Sequence, residues 1–152
     1  MLTWPEVAGA LAPSRNYWLG TTSRDGSPHA APVWGAVVDE VLYFFTERGS
    51  VKARNLAADP RLVLHLESGD DVVIVRGTAE QLGRPGDLPA IVAAFAGKYT
   101  EPDDLQYIPA ETDVLNEIYA VRPRSAMVWL LDDYDSSQRR WVADPTVIEA
   151  SS

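Results

Sequence analysis

The period of apolar and polar positions changes several times along this chain, and each change marks an element. Residues 17–23 (Y-W-L-G-T-T-S), 29–38 (H-A-A-P-V-W-G-A-V-V) and 41–47 (V-L-Y-F-F-T-E) are short, apolar runs rich in aromatic and β-branched side chains, which predicts three strands. Two turns join them. Arg24-Asp25-Gly26-Ser27 carries the Asp-Gly pair that supplies a hairpin's positive φ, and Asp39-Glu40 closes the second. Over 50–58 the period lengthens to 3.6, with Val51, Ala53, Asn55 and Leu56 at helical spacing, until Asp59-Pro60 stops the helix.

The pattern then returns to strands. Residues 61–67 and 72–82 predict a hairpin closed by Ser68-Gly69-Asp70-Asp71. Residues 87–99 predict a helix with Asp87 as N-cap and Ile91, Phe95 and Tyr99 on one face. A further short helix is expected over 3–12, where Thr3 and Glu6 have capping-box spacing and Pro5 fits the first turn. Two closing strands are expected near 115–121 and 125–131, and a last short one near 138–142. The loop between, residues 100–112 with Pro102 and Pro109, stays open between a lid, a dimer arm and plain surface. Short strands with regular turns and few helices predict a mainly β chain, closed or partly closed as a barrel. Val72–Val75 and Ala126–Leu131 are apolar on both faces, so a second subunit is expected to cover one of them.

Composition narrows the choice of partners. The 152 residues fit one domain, 1–152, with 146–152 expected as a flexible tail. The net charge of −9 disfavours nucleic acid and anionic membranes, and no window has the roughly 18–20 apolar residues that span a bilayer. The first residues lack a basic segment followed by an apolar core, so a cytoplasmic protein is expected. Cysteine is absent, which removes disulfides, thiol nucleophiles and thiolate metal sites.

Candidate chemistry is sparse. No G-x-S-x-G, G-x-G-x-x-G or Walker loop occurs. His29 and His65 fall on different predicted strands without further ligands beside them, so no metal site is expected. Asp70-Asp71 and Asp132-Asp133 read as turns. The basic residues, in contrast, cluster: Arg48, Lys52, Arg54 and Arg61 lie within fourteen positions of an acidic chain. At Thr46-Glu47-Arg48-Gly49-Ser50-Val51-Lys52 a strand ends and a helix opens. Ser50 Oγ, Lys52 Nζ and the first helical amides could hold a phosphate there, or could be a capped helix and solvent-exposed cations. At Pro32-Val33-Trp34 a proline inside a strand removes a ladder donor, and a flat aromatic follows. That bend could face a planar heterocycle or simply bury a core tryptophan.

The blocks at 18–35 (W-L-G-T-T-S-R-D-G-S-P-H-A-A-P-V-W-G), 42–61 (L-Y-F-F-T-E-R-G-S-V-K-A-R-N-L-A-A-D-P-R) and 65–79 (H-L-E-S-G-D-D-V-V-I-V-R-G-T-A), in that order, resemble the flavin and deazaflavin oxidoreductase superfamily. The resemblance implies the split β-barrel fold of pyridoxamine 5′-phosphate oxidase and a homodimer with two cofactor sites at the subunit interface. It implies Ser50 and Lys52 at the cofactor phosphate, Arg54 or Asn55 supporting their loop, Pro32, Val33 and Trp34 along the ring system, and Thr46 near it. It also implies Trp129 and Arg140 near the neighbouring subunit's site. The K-A-R-N-L-A-A-D-P pattern is similar to the subgroup that uses coenzyme F-420, a deazaflavin, with FMN as the alternative. The implied activity is hydride transfer between that cofactor and a small conjugated acceptor. The alternative is a non-catalytic flavin-, deazaflavin- or haem-binding barrel, with His29 or His65 as the haem ligand. No catalytic proton donor is assigned, His29 being the nearest candidate. Arg76 stands where the resemblance implies an acidic residue, and Gln138-Arg139-Arg140-Trp141 only approximates the family's ending.

Overall fold

A computed structural model describes residues 1–144; the tail expected at 146–152 lies outside the described residues. The elements are α1 (Trp4–Leu11), β1 (Tyr17–Thr22), β2 (Pro28–Val33), β3 (Gly35–Val38), β4 (Val41–Glu47), α2 (Val51–Ala58), β5 (Arg61–His65), β6 (Asp71–Gly83), α3 (Pro89–Lys98), β7 (Asn116–Leu130), α4 (Tyr134–Ser137) and β8 (Arg139–Val142). All neighbouring strands are antiparallel, in the order β2-β1-β5-β6-β7-β4-β3, with β8 also on β7. The two ends of that order, β2 and β3, are consecutive in the chain and separated only by Trp34. One segment thus pairs with β1 through its first half and with β4 through its second, which closes the sheet into a mainly β split barrel.

This closure is why the strand expected over 29–38 breaks at Trp34. The Gly35 amide, just after the break, donates to the Tyr99 hydroxyl at 2.9 Å. The strands expected at 115–121 and 125–131 are instead one long strand, β7. It passes Pro123 by a bulge: Arg76 faces Ser125 and Gly77 faces Pro123, so Arg124 is the extra residue. Glycine is required opposite, since a Cβ on Gly77 would stand 2.2 Å from the Arg122 carbonyl oxygen.

Helices α1 and α2 follow their sequence signals. Thr3 and Glu6 form the expected reciprocal capping box on α1, of a kind that contributes about 1 kcal/mol. Asp87 does not cap α3. It lies in a 3-10 turn, Pro85–Asp87, and α3 begins at Pro89 behind Leu88, which has no side-chain cap bond. The residue before a proline is pushed out of helical φ/ψ, and Leu88 sits at φ −132°, ψ 60°. Asp39 and Glu40 make the tight β3–β4 turn with positive φ of 50° and 65°, held from outside by Trp4 Nε1 donating to the Glu40 carbonyl at 2.7 Å.

One core fills the barrel and the underside of α1, including Tyr17, Leu19, Phe44, Leu64 and Val75. A second lies where Ile91, Phe95 and Tyr99 of α3 pack over Ala36 and Ile118, as the i, i+4, i+8 spacing predicts. Each fully buried large side chain here contributes roughly 1.5–3 kcal/mol. Among the described residues no helix is long and apolar enough to cross a membrane.

Candidate functional site

Where β2 turns into β3, β4 runs into the α2 entrance and the loop before β7 comes alongside, they leave a cleft of about 920 Å³. Pro32, Val33, Trp34, Thr46, Ser50 and Lys52 all line it. These six come from two sequence regions that the β3–β4 hairpin, with Gly35 paired to Phe44, brings side by side. The other wall is the stretch before β7: Gln106, Tyr107, Ile108 and residues 113–116. The loop at 100–112, which the sequence left open, therefore contributes a rim to this cleft.

The basic end is built by α2. Gly49, at φ 79°, turns the chain so that Ser50 caps the helix, its Oγ accepting from the Ala53 amide at 3.1 Å and lying 3.1 Å from Thr46 Oγ1. The Val51 and Lys52 amides lie in the first helical turn, where no intrahelical acceptor exists and the helix dipole is positive. Only part of the expected basic cluster is available. Arg48 pairs with buried Glu117 at 3.3 Å, and Arg61 pairs with Asp59 at 2.7 Å. Lys52 and Arg54 have no carboxylate in ion-pair range among the described residues. Lys52 lines the cleft; Arg54 is exposed outside it. Asn55 does not reach the cleft either. It is buried and donates to Thr21 Oγ1 at 3.1 Å, tying α2 to β1.

The remaining charge in the cleft is acidic, from Asp113 and Glu47, and Asp113 is engaged. The Asp113 Oδ1 accepts from the Leu115 and Asn116 amides at 2.8 and 3.0 Å, and Oδ2 from Asn116 Nδ2 at 2.6 Å. Burial pushes this carboxyl up, but those three bonds together hold it below its ordinary range. Glu47 stands at the exposed end of β4. Lys52, at the mouth of α2, is the one cation among the described lining residues, and Glu47 lines the cleft beside it.

At the aromatic end Trp34, expected from the sequence, is held by residues that sequence reasoning missed. Trp34 stacks on Tyr99 with centroids 4.3 Å apart and planes within 5°, and its Nε1 donates to Asn16 Oδ1 at 3.0 Å. The Arg15 guanidinium lies 4.7 Å from the Trp34 ring centroid and grips buried Asp104 through two bonds of 2.6 and 3.0 Å. That grip holds the Asp104 carboxyl below its ordinary value. The Tyr99 hydroxyl donates to the Arg15 carbonyl at 2.6 Å. Lys98 Nζ donates to the Gly35 carbonyl at 2.7 Å and to the Tyr17 hydroxyl at 2.8 Å, and burial lowers its ammonium to about 8. Tyr99 was legible only as the third member of a helical face. The Arg15–Asp104 pair joins positions 89 residues apart and leaves no local signal.

His29 and His65 both lie outside this cleft. His65 Nδ1 is 2.7 Å from the Leu66 carbonyl oxygen, and His29 Nδ1 is buried with no hydrogen-bond partner. Trp129 packs edge-on against Tyr134 on β7's far half, and Arg140 lies on β8.

Comparison with known proteins places the fold. The chain superimposes on a conserved hypothetical protein of Mycobacterium tuberculosis with a TM-score of 0.73 at 26% identity, over 96% of this chain and 95% of that one. It superimposes on an F-420 reductase with a TM-score of 0.62 at 25% identity, over 77% of this chain and 93% of the other. A haem-binding protein of Mycobacterium smegmatis shares the fold, with a TM-score of 0.70 at 19% identity, over 93% of this chain and 59% of that one. No curated protein matches. Residues 3–118 match the family described as pyridoxamine 5′-phosphate oxidase, which is more than half of the chain, and the chain belongs to that family.

Proposed function

We propose that the cleft binds a phosphate-bearing flavin-type cofactor, coenzyme F-420 in preference to FMN, and that the protein is an oxidoreductase acting on a small conjugated acceptor. The observation that carries this reading is the convergence of Pro32, Val33, Trp34, Thr46, Ser50 and Lys52 on one cleft whose volume suits such a ligand. The likeness to an F-420 reductase at 25% identity supports the deazaflavin over FMN.

The residues fit the group. Lys52 Nζ, the Ser50 hydroxyl and the first amides of α2 are the donors for a phosphate, with Arg54 outside the cleft adding charge at longer range. Pro32 to Trp34 supply main chain and an aromatic edge for a flat ring system. When bound, the cofactor supplies the hydride chemistry. The chain's own part is to hold it by the phosphate, orient its rings against the bend and keep water from one face. The exposed side chains of Tyr107, Val114 and Leu115 beside the cleft extend an apolar surface suited to the acceptor. A homodimer is part of the reading: Trp18, Leu130 and Leu131 are large apolar side chains left exposed.

Titration with F-420 and with FMN, followed by fluorescence, tests binding. Saturable micromolar binding of F-420 is expected; no response to either cofactor rejects the reading. Non-catalytic carriage, of flavin or of haem, is separated by the visible spectrum and by turnover of reduced cofactor against a panel of quinones and unsaturated lactones. A Soret band, or tight binding with no turnover, selects carriage.

A further inference from the structure

A second groove, of about 810 Å³, opens on the outer face of the sheet and shares no lining residue with the cleft. Its floor is apolar and low: Gly20, Ala30, Leu62 and Val63. Gly20 keeps that floor low, because a Cβ there would stand 2.6 Å from Val63 Cγ1. Its rim is cationic. Arg76 faces Val63 across β5–β6, and the β7 bulge adds Arg124 as the unpaired residue beside it. Arg61 completes the set, already held by Asp59. Neither Arg76 nor Arg124 has a carboxylate in ion-pair range among the described residues, although the chain carries a net charge of −9. His29 lines the same groove, and its Nδ1 is the buried polar atom left without a partner.

Unpaired guanidiniums around an apolar floor are what a carboxylate or phosphate on a short apolar body would meet with both of its ends. The bulge that places Arg124 requires Gly77, so the arrangement is built into the backbone rather than carried by two mobile side chains alone. We propose that this groove is a separate binding site for a small organic anion, held by Arg76 and Arg124 with its body over Gly20 and Val63. The site also gives a role to Arg76, the basic residue that the family resemblance leaves unexplained. The inference stands apart from the cofactor cleft, since the two share no lining residue.

The test is a titration of the full chain followed by amide resonances, with benzoate and phenyl phosphate as probes and benzyl alcohol as the neutral control. Perturbation centred on Gly20, Val63 and Gly77 by at least one anion, and not by the alcohol, is expected; the preferred anion identifies the headgroup. The paired substitution Arg76→Gln, Arg124→Gln should weaken that binding at least ten-fold, while Lys52→Ala leaves it unchanged. Should the paired variant not fold, the wild-type affinity is measured against sodium chloride, and a steep loss with salt is expected. No anion-specific shift at millimolar probe, shifts centred on Ser50 and Lys52, an equal response to the alcohol, or salt-independent affinity would each overturn the proposal.

Discussion

The two ends of the cleft are made of similar materials and put them to opposite use. At the aromatic end the groups around and behind Trp34 are matched within the chain: Trp34 to Asn16 and Tyr99, Arg15 to Asp104, Lys98 to Gly35 and Tyr17. At the basic end Lys52 and the first amides of α2 are left to solvent. A charge or donor already engaged costs desolvation and partner loss before it can serve a ligand, whereas an unengaged one only sheds water. The aromatic end is therefore built as a wall, and under the proposed function the helix mouth is where a ligand would gain its affinity. Substitutions at the wall should register in stability, and those at the mouth in binding.

Lys52→Ala carries the largest expected effect. Loss of a charge-assisted hydrogen bond should weaken F-420 binding by about 1.5–3 kcal/mol, while unfolding stability shifts by no more than about 0.5 kcal/mol. Calorimetric titration and urea unfolding measured on one sample separate the two. Equal affinity in wild type and variant removes Lys52 from the site. At the wall, Tyr99→Phe deletes the hydroxyl that takes the buried Gly35 amide and should destabilise the fold by about 1–3 kcal/mol, the cost of an orphaned buried donor. If it instead weakens binding with stability intact, the division between wall and mouth is wrong.

The sequence carried the mouth far better than the wall, for a physical reason. A capped helix after a strand is local: Gly49, Ser50 and Lys52 are neighbours, and their roles follow from backbone rules over four residues. The bend at Pro32-Val33-Trp34 was also visible, through the missing proline donor. What it closes was not, because the pairing of β2 with β1 and of β3 with β4 is a property of the whole sheet. Long β7 reads as two strands because Pro123 masquerades as a break, and only its partner β6, with Gly77 opposite, allows the bulge. Charge was the least legible quantity. Arg48 and Lys52 look alike in sequence, yet one is neutralised by Glu117 and the other is not.

Ser50 sharpens the comparison because it serves both fold and site. Ser50→Ala removes the cap to Ala53 and should cost about 1 kcal/mol of stability together with some affinity. Ser50→Asp keeps a capping oxygen and places a negative charge at the favourable end of the helix dipole, so stability should hold. The same charge faces an incoming phosphate, so binding should fall further than in Ser50→Ala. Thermal unfolding and cofactor titration of the pair check this. An aspartate variant that binds as well as wild type puts the phosphate elsewhere.

The wall can also be read through pH. Burial lowers the Lys98 ammonium from 10.5 to about 8, so between those values the unfolded chain holds a proton that the folded chain has released. Stability should therefore rise with pH through that window, and a neutral amine still has donors for both the Gly35 carbonyl and the Tyr17 hydroxyl. Burial raises Tyr17 and Tyr99, the latter to about 12 from an ordinary 10, so above pH 10 the unfolded chain sheds protons that the folded chain keeps and stability falls. A urea midpoint followed from pH 7 to 11 should climb from about 8 to 10 and then decline. In Lys98→Met the climb should vanish while the decline persists. A wild-type midpoint that is flat between 8 and 10 would mean that water reaches Lys98, and the wall is then no more closed than the mouth.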